Sequence, residues 1–218
     1  LLGGYTYANN ISGWRSFTTG AGAPLPGAFT KSSPANGVGG RSTTTQLGWG
    51  VSSGASSYEY CLDTTDNNSC DGSWVSTGTN RSVTPPTLQR GTIYYWQVRA
   101  VNGAGSTEAD GSTWWSYATL PGTFGKSSPA NGATNVSVNP TLSWSASSGA
   151  AEYEYCIDTT SGTSCDGTWT SAGNNLSVAL SGLASNTTYY WQVRSVLLGG
   201  YTYANNISGW RSFTTAAP

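Results

Sequence analysis

The chain repeats itself at two spacings, and this constrains its fold more than any other feature. Lys31-Ser32-Ser33-Pro34-Ala35-Asn36-Gly37 returns as residues 126–132, and the same shift of 95 carries Trp49 to Trp144, Cys61 to Cys156, Cys70 to Cys165 and Tyr94 to Tyr189. Two homologous units therefore stand in tandem. Near their ends the shift becomes 96, taking Trp114, Tyr117 and Thr119 to Trp210, Phe213 and Thr215. One residue has been gained in a late loop, as a surface connection tolerates. The coarser repeat is without a change: residues 1–19 recur as 197–215, a period of 196. The opening segment reads as the last strand and loop of a preceding unit. This divides the chain into a terminal fragment at 1–22, a first domain at 23–121 and a second at 122–218. A lone strand cannot bury a hydrophobic face. Either a longer array is divided inside a unit, or the segment completes another chain by strand addition. Division of a recently duplicated array is preferred, because the second unit already owns a final strand.

Within each unit the hydrophobic period is two. Tyr153, Tyr155 and Ile157 alternate with Glu152, Glu154 and Cys156, and Tyr189, Trp191 and Val193 alternate with Tyr190, Gln192 and Arg194, the pattern of half-buried strands. Clusters such as Pro129-Ala130-Asn131-Gly132 and Ser147-Ser148-Gly149 separate them, and no window carries a convincing helical period. The fold class is all-β, with about seven strands per unit arranged as a sandwich.

Leu183-Ala184-Ser185-Asn186-Thr187-Thr188-Tyr189-Tyr190-Trp191-Gln192-Val193-Arg194 resembles the turn into strand F, and strand F itself, of fibronectin type III domains; residues 88–99 form the second copy. The resemblance implies a buried tyrosine corner, formed by Leu88 with Tyr94 and by Leu183 with Tyr189. It places Trp49 and Trp144 at the end of strand B, and Trp96 and Trp191 in the core. The whole therefore reads as two tandem fibronectin type III-like β-sandwiches preceded by a terminal-strand fragment. The paired cysteines depart from the family pattern. Cys61 and Cys70, and Cys156 and Cys165, are each nine apart at the same place in both units, so one local disulfide per domain is the parsimonious pairing, and a C to C′ hairpin would bring the partners together. Four thiolates on one metal would have to converge from separate domains. Persistent disulfides imply an oxidising compartment, hence an extracellular, cell-surface location.

Composition narrows the function. Histidine is absent and only 9% of residues are charged, which removes imidazole bases and His zinc ligands. No catalytic set and no cofactor are expected. A net charge of −1 offers nothing to a phosphate backbone or an acidic lipid surface, so neither nucleic acid nor membrane insertion is expected. Asp63, Asp66, Asp71, Asp158 and Asp166 gather near the cysteines without a complete calcium-ligand series, and read as solvated loop carboxylates. Glu59 with Arg99, and Glu154 with Arg194, are placed for cross-strand ion pairs.

Leu197, Leu198, Tyr201 and Tyr203 make the last loop of the second unit far more apolar than its counterpart at 102–112. An exposed apolar loop points to an interface, so these four are the self-association candidates, with neighbouring repeats or identical chains as partners. The connections Leu25-Pro26-Gly27-Ala28-Phe29 and Leu120-Pro121-Gly122-Thr123-Phe124 are short and proline-bearing, which predicts limited bending. The leading expectation is a structural repeat of an extracellular fibre, stalk or adhesin shaft. The alternative is a carbohydrate- or ligand-binding module attached to a secreted enzyme, with Trp74 and Trp169 as contacts to a host or cell-surface glycan.

Overall fold

The computed structural model describes residues 22–86, 88–162 and 164–218, so the strand-donation reading of residues 1–19 lies outside the described residues. The first unit contains β1 (Lys31–Ser33), β2 (Val38–Arg41), β3 (Leu47–Trp49), β4 (Ser57–Asp63), β5 (Val75–Gly78), β6 (Ser82–Val83), β7 (Ile93–Asn102), β8 (Gly105–Glu108) and β9 (Trp115–Thr119). The second repeats the series as β10 (Lys126–Ser128), β11 (Ala133–Val136), β12 (Thr141–Trp144), β13 (Glu152–Asp158), β14 (Thr170–Gly173), β15 (Ser177–Ala179), β16 (Thr188–Leu197), β17 (Gly200–Tyr203) and β18 (Arg211–Thr215). In the first unit β1-β3-β6 form one sheet and β2-β9-β7-β4-β5 the other, with β8 extending β7; the second unit has the same order. Two such sandwiches in tandem are the fibronectin type III-like architecture.

Each unit has more strands than the seven expected because its first and last strands are each broken in two. The first strand crosses from one sheet to the other at Pro34, leaving β1 antiparallel to β3 and β2 parallel to β9. The repeated Pro-Ala-Asn-Gly motif makes this crossing. Asn36 Oδ1 accepts from Ser116 N–H at 2.8 Å, and Gly37, at φ 74°, donates its own N–H to Ser116 O at 2.8 Å. Asn131 and Gly132 make the same two bonds to Ser212. The left-handed turn explains the glycine. The last strand is broken by a 3-10 turn at Ala109–Ser112, so β8 pairs with the far half of β7 and β9 with its near half.

The cores follow the period of two. Tyr94, Trp96, Val98 and Ala100 of β7 are buried with Leu47, Trp49, Tyr58 and Tyr117, and Trp191, Val193, Leu142, Trp144, Tyr153 and Phe213 fill the second sandwich.

Candidate functional site

Each sandwich buries a lysine beneath the broken last strand. These are the only lysines among 218 residues, and each is 4% exposed. The break leaves Gln97 and Val98, paired with β4 on one side, without a partner on the β8/β9 side of β7, and the Gln97 side chain fills the gap. Its amide nitrogen donates to Ala109 O at 3.2 Å and Thr113 O at 3.1 Å, while its oxygen accepts from Val98 N–H at 2.8 Å and Lys31 Nζ at 2.8 Å. Buried polar groups must find such partners, and here one side chain stands in for a stretch of missing ladder. Lys31 completes the cluster by donating to Thr113 O at 2.7 Å and pairing with Asp110 Oδ2 at 3.0 Å, with the faces of Trp96 and Trp115 within 5.6 and 5.4 Å of its nitrogen. Asp110 Oδ2 also accepts from the Lys31 backbone N–H at 3.0 Å.

The second sandwich keeps this design but replaces the carboxylate. Lys126 Nζ donates to Gln192 Oε1, Gly209 O and Ala204 O, and lies 5.6 Å from the Trp191 ring. The place of Asp110 is taken by Asn205, whose Oδ1 accepts only from the Lys126 backbone N–H among the bonds described, at 3.0 Å. The electrostatic consequence is direct. Burial lowers the pKa of both lysines, but Asp110, by hydrogen bond and charge, and Glu108, by charge, oppose the shift at Lys31. At Lys126 burial is reinforced by the Arg211 guanidinium, and the pKa falls to about 7. Sequence reasoning passed over both lysines; their signal was that a chain with two lysines places both at one point of its repeat.

The disulfides begin on the next strand of the sheet: Cys61 of β4 is paired opposite Gln97 of β7, and Cys156 of β13 opposite Gln192 of β16. Cys61–Cys70 and Cys156–Cys165 are both formed, with Cα separations of 5.9 and 6.1 Å, and among the described residues no cysteine is free. Each ties the end of strand C (β4 or β13) to the loop before C′ (β5 or β14). The neighbouring carboxylates order the loop backbone: Asp63 Oδ1 accepts from Thr65 N–H at 3.1 Å and Asp158 Oδ1 from Thr160 N–H at 3.0 Å. Among the described residues no three His, Cys, Asp or Glu side chains gather as a metal site. Replacing Cys61 and Cys70 together by alanine should cost the first sandwich about 2.5 to 3 kcal/mol, the loop-closure value for roughly ten residues, read as a lower urea midpoint with an unchanged second sandwich.

At the tyrosine corners Tyr94 Oη accepts from Gln89 N–H at 2.7 Å, and Tyr189 Oη from Ala184 N–H at 3.0 Å. Leu88 is buried beside Tyr94, and Leu183 packs against the second core. Glu59 and Arg99 lie opposite each other on β4 and β7 and form an ion pair at 2.6 Å; Glu154 and Arg194 repeat it at 2.6 Å. The guanidinium of Arg99 lies 4.3 Å from the Trp74 ring centre and that of Arg194 4.3 Å from Trp169. The aromatic faces considered for a sugar ring are thus engaged by the protein's own cations.

The four apolar residues of the last loop divide into two pairs. Tyr201 and Tyr203 pack edge to face and surround Arg194 and Trp169 within their own sandwich. Leu197 is buried, Leu198 is 46% exposed, and their backbone carbonyls lie against Gly39 of the first unit. The loop therefore meets the neighbouring unit through main chain, and the Leu198 side chain stays in solvent.

Between the units no residue is left free. Leu120 belongs to the first sandwich, donating to Arg41 O at 2.9 Å and accepting from Gly91 N–H at 2.8 Å. The next residue, Pro121, belongs to the second, its carbonyl accepting from Thr202 Oγ1 at 2.8 Å, and Gly122 donates to Ser148 O at 2.9 Å.

No family model and no curated protein matches the sequence. Among solved structures, the chain is similar to a two fibronectin type III domain segment of chicken tenascin, at 18% identity and a TM-score of 0.47 over 87% of this chain and 97% of that one. It is also similar to the FN1–FN3 domains of chicken CNTN1, at 17% identity and a TM-score of 0.41 over 88% of this chain and 68% of the other. The likeness is one of fold. Among the described residues no helix is long and apolar enough to cross a membrane.

Proposed function

We propose that this chain is a structural repeat of an extracellular fibre, stalk or adhesin shaft, non-catalytic, with neighbouring repeats as its partners. The observation that carries this reading is the junction at Leu120-Pro121-Gly122, where consecutive residues are bound to different sandwiches. A connection without slack transmits force and orientation from one unit to the next, as a spacer requires. The two disulfides suit an oxidising exterior, and the exact recurrence of residues 1–19 as 197–215 suits an array extended by duplication. Negative-stain electron microscopy of proteins carrying increasing numbers of repeats tests the reading. Thin particles whose contour length grows in proportion to repeat number are expected, and compact globules at every repeat number would overturn it.

A further inference from the structure

We infer that the array alternates between two kinds of junction, a locked one inside each pair of sandwiches and a longer, unlocked one between pairs. The locked junction is the one just described, and glycines make it possible. A Cβ on Gly39 would stand 2.1 Å from Leu198 O, and one on Gly200 would stand 2.1 Å from Gly40 N. A Cβ on Gly91 would stand 2.2 Å from Ser148 O, and one on Gly149 would lie 1.9 Å from Gly91 O. These are backbone-to-backbone approaches that no side-chain rotation relieves. Gly91 and Gly149 also occupy left-handed conformations, at φ 62° and 69°, so their turns favour glycine in any case. Gly39 and Gly200 do not, and their glycines are accounted for by the close approach alone.

The surface that the second sandwich offers to a following unit is different. The counterparts of Gly39 and Gly91 at the shift of 95 are Thr134 and Asn186, both bearing a Cβ where the locked junction has no room for one. The connecting segment differs as well. At the end of the first unit Thr119 is followed at once by Leu120-Pro121-Gly122, whereas Thr19, its counterpart in the opening segment, is followed by Gly20-Ala21-Gly22-Ala23-Pro24 before Leu25-Pro26-Gly27. Five residues are inserted. Anchoring resumes on the downstream side at Pro24, whose carbonyl accepts from Asn102 Nδ2 at 2.8 Å, and at Pro26, whose carbonyl accepts from Thr107 Oγ1 at 2.6 Å. Leu25, placed like the half-buried Leu120, is 55% exposed. The two proline-bearing connections match from the leucine onward, and differ in what precedes it. The rigid element is the pair, and bending is confined to every second junction, once per 196 residues.

The assignment of the longer connection rests on the array reading; the locked pair does not, and the two are tested separately. Nuclear magnetic relaxation of the whole chain should return one rotational correlation time shared by both sandwiches. The double variant Gly39→Thr, Gly91→Asn places the second unit's own residues at these positions, where its backbone accommodates them; Asn186, at φ 49°, already shows that asparagine accepts the turn. In that variant the shared correlation time should fall to two independent values, each near that of a single sandwich, while each sandwich keeps its urea midpoint. Independent tumbling in the unaltered chain, or undiminished coupling in the folded variant, would overturn the lock. For the alternation, a protein of two joined 196-residue periods should show by electron microscopy a narrow angle distribution within pairs and a broad one between them. Equal distributions would overturn it, even if the particles remain fibrous.

Discussion

The second sandwich should gain stability as the pH is raised from about 7 to about 10, at a slope approaching 1.4 kcal/mol per pH unit. Lys126 has a folded pKa of about 7, against 10.5 for an unperturbed lysine. Between these values the unfolded chain holds a proton that the folded chain has released, so raising the pH favours folding. Below about 7 both states are protonated, the slope vanishes, and the full cost of burying the ammonium remains. The cause is burial first and the Arg211 guanidinium second. The acceptor oxygens of Gln192, Ala204 and Gly209 solvate the ammonium but supply no net charge. The first sandwich should respond more weakly over the same range, because Asp110 and Glu108 counteract the lowering at Lys31. Above pH 10 it should lose stability instead. The buried Tyr117 phenol has its pKa raised by desolvation, then by Tyr94 and Tyr60, so folding holds a proton that the unfolded chain gives up. Its counterpart in the second sandwich is Phe213, which has no proton to lose. Hydrogen exchange with mass spectrometry in urea reads the two sandwiches separately in the intact chain. Asn205→Asp should flatten the slope of the second towards that of the first. A second sandwich indifferent to pH between 7 and 10 would refute the account.

Trp191→Ala should cost the second sandwich about 3 to 5 kcal/mol, and Trp96→Ala the first a similar amount. Against a typical domain stability of roughly 5 to 15 kcal/mol, such a loss leaves the affected unit marginal. Both indoles are fully buried in the middle of the longest strand of their sandwich, where neighbouring strands cannot collapse into the vacated volume without breaking the ladder. Each ring also forms one wall of a lysine site, so truncation exposes a buried amine as well as a cavity. Phenylalanine at these positions should cost much less. It keeps a ring against the lysine and removes an indole N–H that has no acceptor among the described residues. Urea unfolding of each variant measures the difference. Equal losses for alanine and phenylalanine would show that the cost does not come from cavity volume.

The fold was legible because its signals are local and occur twice. Alternation in residues 153–157 and 189–193 marks strands whichever partners they find, and the nine-residue cysteine spacing sets a loop short enough to close on itself. The lysine sites were not legible. Lys31 and Gln97 are 66 residues apart and Lys31 and Asp110 are 79 apart, and nothing local marks a lysine for burial when most lysines face water. The broken last strand leaves two residues of β7 without a ladder partner on that side, and only that gap gives a buried glutamine and lysine something to do.

What the sequence determined by itself is the count of units, their all-β character and their cross-links, because each of these is a property of spacing along the chain. Tertiary structure alone decided that the lysines are interior, that Trp74 and Trp169 are covered by arginines, and that Gly39 and Gly200 serve the contact between sandwiches. Those depend on which distant backbones approach within van der Waals range, a fact of packing that no spacing encodes.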